Sequence, residues 1–227
     1  MTRLAATLAA DMRVQLRNGF YLATAFVVVC SIVLLRWLPS ATAALLLPVV
    51  LLENVLMNTF YFVSALVLLE RGEGTLAAQG VTPLRVEEYL GSKLLTLTAL
   101  SLVEGTLLAG AVVGFDVRIL GLSVGIVLAA VLFCLTGVAL IARYESINEF
   151  LMPSVLYTAL LSLPLLGYLG VGTRAWYLPH PIQGPLELMR LQPLRPGAWA
   201  YAVLYPLLWI VPVSLWSSRG IRRLRSG

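Results

Sequence analysis

Charge is what this sequence has least of. Only 12% of its 227 residues are charged, where soluble domains carry about a quarter. Hydrophobic residues make up 59%, and the mean hydropathy is +0.90. A soluble enzyme, a nucleic-acid binder and a disordered chain all need more polar surface than this, so no nucleic-acid partner is expected. Lysine and histidine occur once each, at Lys93 and His180, and aspartate only at Asp11 and Asp116. That leaves no cluster to hold a metal and no acidic group for a lipid-linked phosphotransferase. Cys30 and Cys134 lie inside apolar runs without a C-x-x-C pair, so their expected role is packing. The phosphate-cradling G-x-x-x-x-G-K-[ST] is missing too, since Gly91-Ser92-Lys93 matches only its end. ATP hydrolysis by that machinery must sit on another chain, and no cofactor is expected in this one.

What is present is long apolar runs. At roughly 20 residues per membrane-crossing helix, six fit: 20–38, 43–69, 94–114, 119–142, 150–171 and 199–216. The second is long and carries Pro48, Glu53, Asn54 and Asn58, which predicts a tilt or kink. Ahead of the first run, Leu4, Leu8, Met12 and Leu16 fall four apart among Arg3, Asp11, Arg13 and Arg17. This predicts an interfacial helix within 1–19, ended by Asn18-Gly19. Ala41-Thr42-Ala43 imitates a signal-peptide cleavage site, but the charged lead and the apolar run are both too long. The expected fold is therefore all-α and membrane-integral, a single transmembrane domain over 1–227 with six spans.

Placing both termini inside puts 11 of the 16 cationic residues on the cytoplasmic side and five outside, at Arg36, Arg118, Arg174, Arg190 and Arg195. Such a bias sets orientation. A multi-pass protein of the plasma membrane, in bacteria the inner membrane, with cytoplasmic termini is the expectation.

Few residues in this frame carry chemistry. Gly121-Leu122-Ser123-Val124-Gly125 fits the G-x-S-x-G nucleophile pattern, but within an apolar helix rather than a strand-to-helix turn. Small residues for close helix contact are the better reading, as at Gly110-x-x-x-Gly114. Glu53 and Glu104 lie near mid-depth of their spans, where a carboxylate faces a partner or a wet cavity. With Asn54 and Asn58 they either line a substrate path or bond neighbouring helices and fix packing.

The largest polar stretch between spans, 70–93, is ERGEGTLAAQGVTPLRVEEYLGSK. Thr75 is expected to cap a short helix that Gly80 ends, and Thr82 a second one with Pro83 at its first position. A structured, charged cytoplasmic element suits contact with another protein. Residues 172–198, between the fifth and sixth runs, hold Pro179, Pro181, Pro185 and Pro193 among aromatics.

The run ERGEGTLAAQGVTPLRVEEYLGSKLL resembles permease subunits of type-2 ABC exporters, through Glu70, Arg71, Gly74, Thr75, Leu76, Thr82, Pro83, Leu84, Tyr89 and Lys93. The layout resembles them over nearly the whole chain. The resemblance implies that 70–80 is a coupling helix docking on a separate ATPase subunit, which would hold the ATP and Mg. It implies that Glu70, Arg71, Glu73, Thr75, Leu76 and Thr82 form the ATPase contact and that 172–198 is a re-entrant outer loop. It implies a second permease, identical or a sister chain, and alternating access that exports an amphipathic small molecule or lipid-like substrate, with fluoroquinolones among the drugs such permeases move.

Two other classes stay in view. A membrane-embedded enzyme acting on lipid or peptide would need a nucleophile with a base, or a metal, and neither is evident. A non-ABC assembly subunit or secondary transporter would be favoured by inverted repeats, and none is convincing.

Overall fold

A computed structural model describes residues 3–80, 82, 84–115, 119–192 and 194–226, the side chains of 77, 80, 174, 225 and 226 excepted. Pro83, Asp116, Arg118 and Pro193, and the side chains of Arg174 and Arg225, therefore lie outside the described residues. Helix α1 spans Arg3–Arg17. Its apolar stripe points away from the protein, with Met12 and Leu16 exposed, while Asp11 and Gln15 are buried against the rest of the chain. That suits a helix lying on a bilayer, except that the inward face is polar. Asn18 Nδ2 donates to Val14 O, and Gly19 takes φ +74°, so the break falls at the expected pair.

Helix α2 (Phe20–Trp37) is apolar and mostly exposed along its length. The following run holds α3 (Ser40–Leu56), a π turn (Met57–Tyr61) and α4 (Phe62–Gly72). Together they make one 33-residue apolar helix. At 1.5 Å per residue it is about 50 Å long, well beyond a ~30 Å hydrocarbon core. Glu70 and Arg71 lie at its C-terminal end.

Helix α5 (Thr75–Gly80) is short, and α6 (Val86–Val113) is a single 28-residue helix. Two cap assignments made from sequence are corrected here. The Ala78 N–H reaches Gly74 O, so Thr75 opens α5 from inside it and Gly74, at φ +69°, precedes it. Thr82 shapes a turn instead of starting a helix: its hydroxyl donates to Gln79 O and accepts from the Leu84 N–H. The start of α6 is fixed later, where the Arg85 N–H donates to Glu88 Oε2 at 2.9 Å, half of a capping box. Helix α6 thus begins eight residues before residue 94, where the third apolar run starts.

Helix α7 (Ile119–Ile141) is apolar all round and becomes the centre, packed by α3, α4, α6 and elements that follow. Helix α8 (Ile147–Leu161) starts on Ser146, whose hydroxyl accepts the Glu149 N–H. It stops at Ser162, and α9 (Leu163–Tyr168) continues with Pro164 in its first turn. After a 3₁₀ turn (Arg174–Trp176), helix α10 (Gln183–Met189) is buried at every residue. Helix α11 (Pro196–Ser226) includes Pro206 and Pro212 and absorbs the basic tail into one continuous element.

Among the described residues, five helices are long and apolar enough to cross a membrane: α2, the α3–α4 run, α6, α7 and α11. The span expected at 150–171 is not one helix. Its apolar residues are divided between α8 and α9, because Ser162 and Pro164 interrupt the hydrogen-bond ladder.

Candidate functional site

The chain's lone lysine organises the end of the bundle where α1, α4 and α6 meet. Lys93, on α6, is fully buried at 0% exposure, and its Nζ lies 3.0 Å from Asp11 Oδ1 of α1. The same ammonium pairs with Glu70 Oε1 at the foot of α4. The Tyr89 hydroxyl donates to Glu70 Oε2, and the Ser92 hydroxyl to Asp11 Oδ2. The Tyr89 ring also lies under Lys93, 4.5 Å from centroid to Nζ. One cation thus sits between two carboxylates, and each carboxylate has a hydroxyl donor. Such satisfaction is what a buried ionic group requires. The result is a joint between three helices.

A second tier lies above it. Gln15 Nε2 donates to Thr96 Oγ1 at 2.9 Å, and the Tyr21 hydroxyl donates to Gln15 Oε1. Of this group, Glu70, Tyr89 and Lys93 are among the residues that carry the resemblance, whereas Asp11 reads in the sequence only as one charge on an amphipathic helix. The available signal was scarcity: a single lysine and one of two aspartates, the aspartate flanked by Ala10 and Met12.

The loop residues divide by exposure. Glu73, Thr75 and Thr82 are exposed, and Arg71 is partly so. Arg71 donates to Tyr144 O at 2.8 Å and lies 3.6 Å from Glu145. Glu73 pairs with Arg17, and Glu87 pairs with Arg222 of α11. Glu70 and Leu76 are buried, so they hold the loop from inside and offer no outer surface.

The four span residues divide as well. Glu53 is exposed and accepts the Ser162 hydroxyl at 2.7 Å, at the α8–α9 break. Glu104 is buried at 4% exposure, and neither carboxyl oxygen has a hydrogen-bond partner among the described residues. Asn54 stands beside that carboxyl but outside hydrogen-bonding geometry, and it donates to Ser31 Oγ. Asn58 Oδ1 accepts from Thr24, while its Nδ2 and the hydroxyls of Thr98 and Ser101 have no hydrogen-bond partner among the described residues. Consecutive helix residues point about 100° apart, so Glu53 and Asn54 cannot share a face. The two glutamates are therefore not brought to one place. Glu104, Asn54 and Asn58 form an internal polar column between α2, α3 and α6, and Glu53 looks outward.

Gly125 and His180 are both engaged in local packing and backbone contacts. A Cβ on Gly125 would stand 2.8 Å from Pro185 O, so that glycine admits α10 against α7. His180 Nδ1 accepts the Ile182 N–H and Nε2 lies 3.1 Å from Leu160 O, so neither nitrogen is available to Ser123. Burial pushes the His180 imidazolium down to a pKa of about 4, against a weaker opposing pull from Leu160 O. No group of three or more His, Cys, Asp or Glu side chains is placed to hold a metal among the described residues.

Comparison with known proteins agrees with this apolar, multi-helix architecture. The model of the fluoroquinolones export permease protein family matches residues 2–224. Two curated relatives, both called fluoroquinolones export permease protein, come from Mycobacterium tuberculosis strains CDC 1551 / Oshkosh and ATCC 25618 / H37Rv. Each is 32% identical to this chain over 213 residues, covering 92% of this chain and 90% of the relative. With the match running nearly end to end, this multi-pass transport permease belongs to the fluoroquinolones export permease protein family.

Proposed function

We propose that the chain is the membrane subunit of an ATP-driven ABC exporter that moves an amphipathic small molecule outward, with fluoroquinolones as the first substrates to try. The ATPase is a separate cytoplasmic subunit that holds ATP and Mg. Two permeases, identical or paired with a sister chain, surround the path and alternate its access between the two faces. The chain sits in the bacterial inner membrane with both termini cytoplasmic.

The observation that carries this reading is the Asp11–Lys93–Glu70 joint. It ties the interfacial helix and the foot of α4, from which the exposed loop springs, to a single span. A push on α5 reaches α4 directly, and through Lys93 it reaches α1 and α6. The exposed Glu73, Thr75 and Thr82 provide the surface on which an ATPase would push, with Arg71 at its edge. A shift follows only if that surface binds the two ATPase states differently. Exposed Glu53 supports a second permease: a carboxylate near mid-span belongs against protein or water, not lipid chains.

The test is reconstitution. The permease is co-expressed with candidate ATPase subunits and pulled down, and inverted vesicles are assayed for ATP-dependent uptake of a fluorescent fluoroquinolone. Co-purification together with ATP-dependent uptake is expected. Uptake driven by a proton gradient and indifferent to ATP would replace this reading with a secondary transporter.

A further inference from the structure

Away from the joint and the polar column, two cavities share one side-chain stack. Arg190 lies over the Tyr168 ring, 4.9 Å from Cζ to centroid, and the Tyr168 hydroxyl donates to Leu45 O. One cavity, about 300 Å³, lies between Ala41, Ala44 and Leu45 of α3 and Arg190 and Gln192 beyond α10. The other, about 110 Å³, is lined by Tyr168, Tyr177, Gln183, Glu187 and Arg190. Tyr168 and Arg190 belong to both.

The polar groups around the stack are only partly used. Gln183 is 5% exposed, its Nε2 donates to Glu187 Oε1 at 2.8 Å, and its Oε1 accepts from nothing among the described residues. A buried amide oxygen without a donor is uncommon and points to a missing partner. Arg190 spends Nη1 on Glu187 Oε2 at 3.1 Å, which leaves Nη2 and Nε without a hydrogen-bond acceptor among the described residues. The site therefore offers an acceptor beside a carboxylate on one side and guanidinium donors on the other. Two tyrosine rings supply flat apolar walls.

We propose that this double cavity is an outer-face binding site for a zwitterionic group. The anionic end lies against the open edge of Arg190, and the ammonium end donates to Gln183 Oε1 near Glu187. Guanidinium suits carboxylate or phosphate, and the aromatic walls accept the uncharged part between the ends. Two sources share this chemistry, an amphoteric aromatic solute and a zwitterionic lipid headgroup. The assignment concerns binding alone, so it stands or falls apart from ATP-driven transport.

The test uses the purified full chain without an ATPase. One arm titrates ciprofloxacin, with its carboxylate and piperazinium, by fluorescence polarisation, beside its methyl ester, which lacks the anion. The other arm adds phosphatidylethanolamine or phosphatidylglycerol to delipidated protein and counts retained lipid by native mass spectrometry. At least one zwitterion should bind about tenfold more tightly than its single-charge analogue, the value of one charged hydrogen bond. That preference should vanish in Gln183→Leu and Arg190→Met. The arm that responds identifies the source. The preference is measured on the unmodified chain, so a variant that fails to fold does not blunt the test. Equal binding of zwitterion and analogue in both arms, binding of neither zwitterion, or full retention of the preference in both variants would overturn the assignment.

Discussion

Lys93 Nζ and Asp11 Oδ1 are 3.0 Å apart although 82 residues separate them in the chain. This contact fixes α1 to α6 through the only lysine side chain the sequence owns. Replacing Lys93 by methionine leaves Asp11 and Glu70 buried without a cation. A loss of about 3–5 kcal/mol is expected, read as a lower midpoint in thermal unfolding followed by size-exclusion. Adding Asp11→Asn and Glu70→Gln to the same chain should recover much of it. No recovery in the triple variant would mean that packing, not charge, explains the joint.

The exposed loop yields a prediction that the sequence alone would have misplaced. Proline at Thr75 looks disruptive, yet Thr75 is the first residue of α5, where proline is tolerated. The breaking position is Ala78, whose N–H is bonded to Gly74 O. Ala78→Pro, or Glu73→Lys with reversed charge, should abolish substrate-stimulated ATP hydrolysis while the permease still assembles. Thr75→Pro should be milder than Ala78→Pro. The reverse order in a coupled ATPase assay would remove α5 from the coupling role.

For the polar column, Glu104→Leu removes a buried carboxyl that has no partner among the described residues. Stability should rise by about 1–2 kcal/mol while export falls. Glu53→Gln keeps the size and the Ser162 contact, so it should alter export of cationic or zwitterionic amphipaths without affecting assembly. Normal export in both variants would leave the two carboxylates a packing role only.

His180 sets a pH dependence outside the spans. Its folded pKa is depressed to about 4 from 6.5, so the folded form holds fewer protons than the unfolded one between those values. Its contribution is complete above about pH 6.5 and is lost as the pH falls towards 4. Protonation also fills Nδ1, which now accepts the Ile182 N–H. Hydrogen exchange in 172–182 should therefore rise across that window, and His180→Leu should flatten the response. An unchanged pH profile in the variant would acquit His180.

Gly125→Val should cost about 1–3 kcal/mol through overpacking, because its Cβ meets a backbone oxygen of α10 that cannot swing aside. Thermal midpoints of Gly125→Val and Gly125→Ala, compared side by side, measure that crowding.

Much of the layout was legible because apolar runs of about 20 residues have few alternatives. The α1 break showed at Asn18-Gly19, and the packing use of Gly125 showed in its apolar context. The helix starts were not legible. Gly74 and Arg85 mark them through backbone geometry and a glutamate reaching back, while Thr75 and Thr82 only look the part. The division of 150–171 into α8 and α9 hinged on Ser162, whose side chain bonds Glu53 from 109 residues away. The joint at Lys93 is a relation between three distant residues, and no local pattern encodes it.

The π turn at Met57–Tyr61 has a consequence for timing along the chain's longest helix. A π turn holds one residue more than the α-helix around it, so everything after it is rotated in phase by about 100°. Gly137 lets α7 close on that turn, since a Cβ there would stand 2.9 Å from Phe60 O. With the extra residue, Glu70 comes round to meet Lys93. Deleting one residue from Met57–Tyr61 would restore a regular ladder, yet turn Glu70 away from its cation. The wide turn acts as a gear tooth, converting a local irregularity in mid-membrane into the correct bearing of a carboxylate nine residues further on.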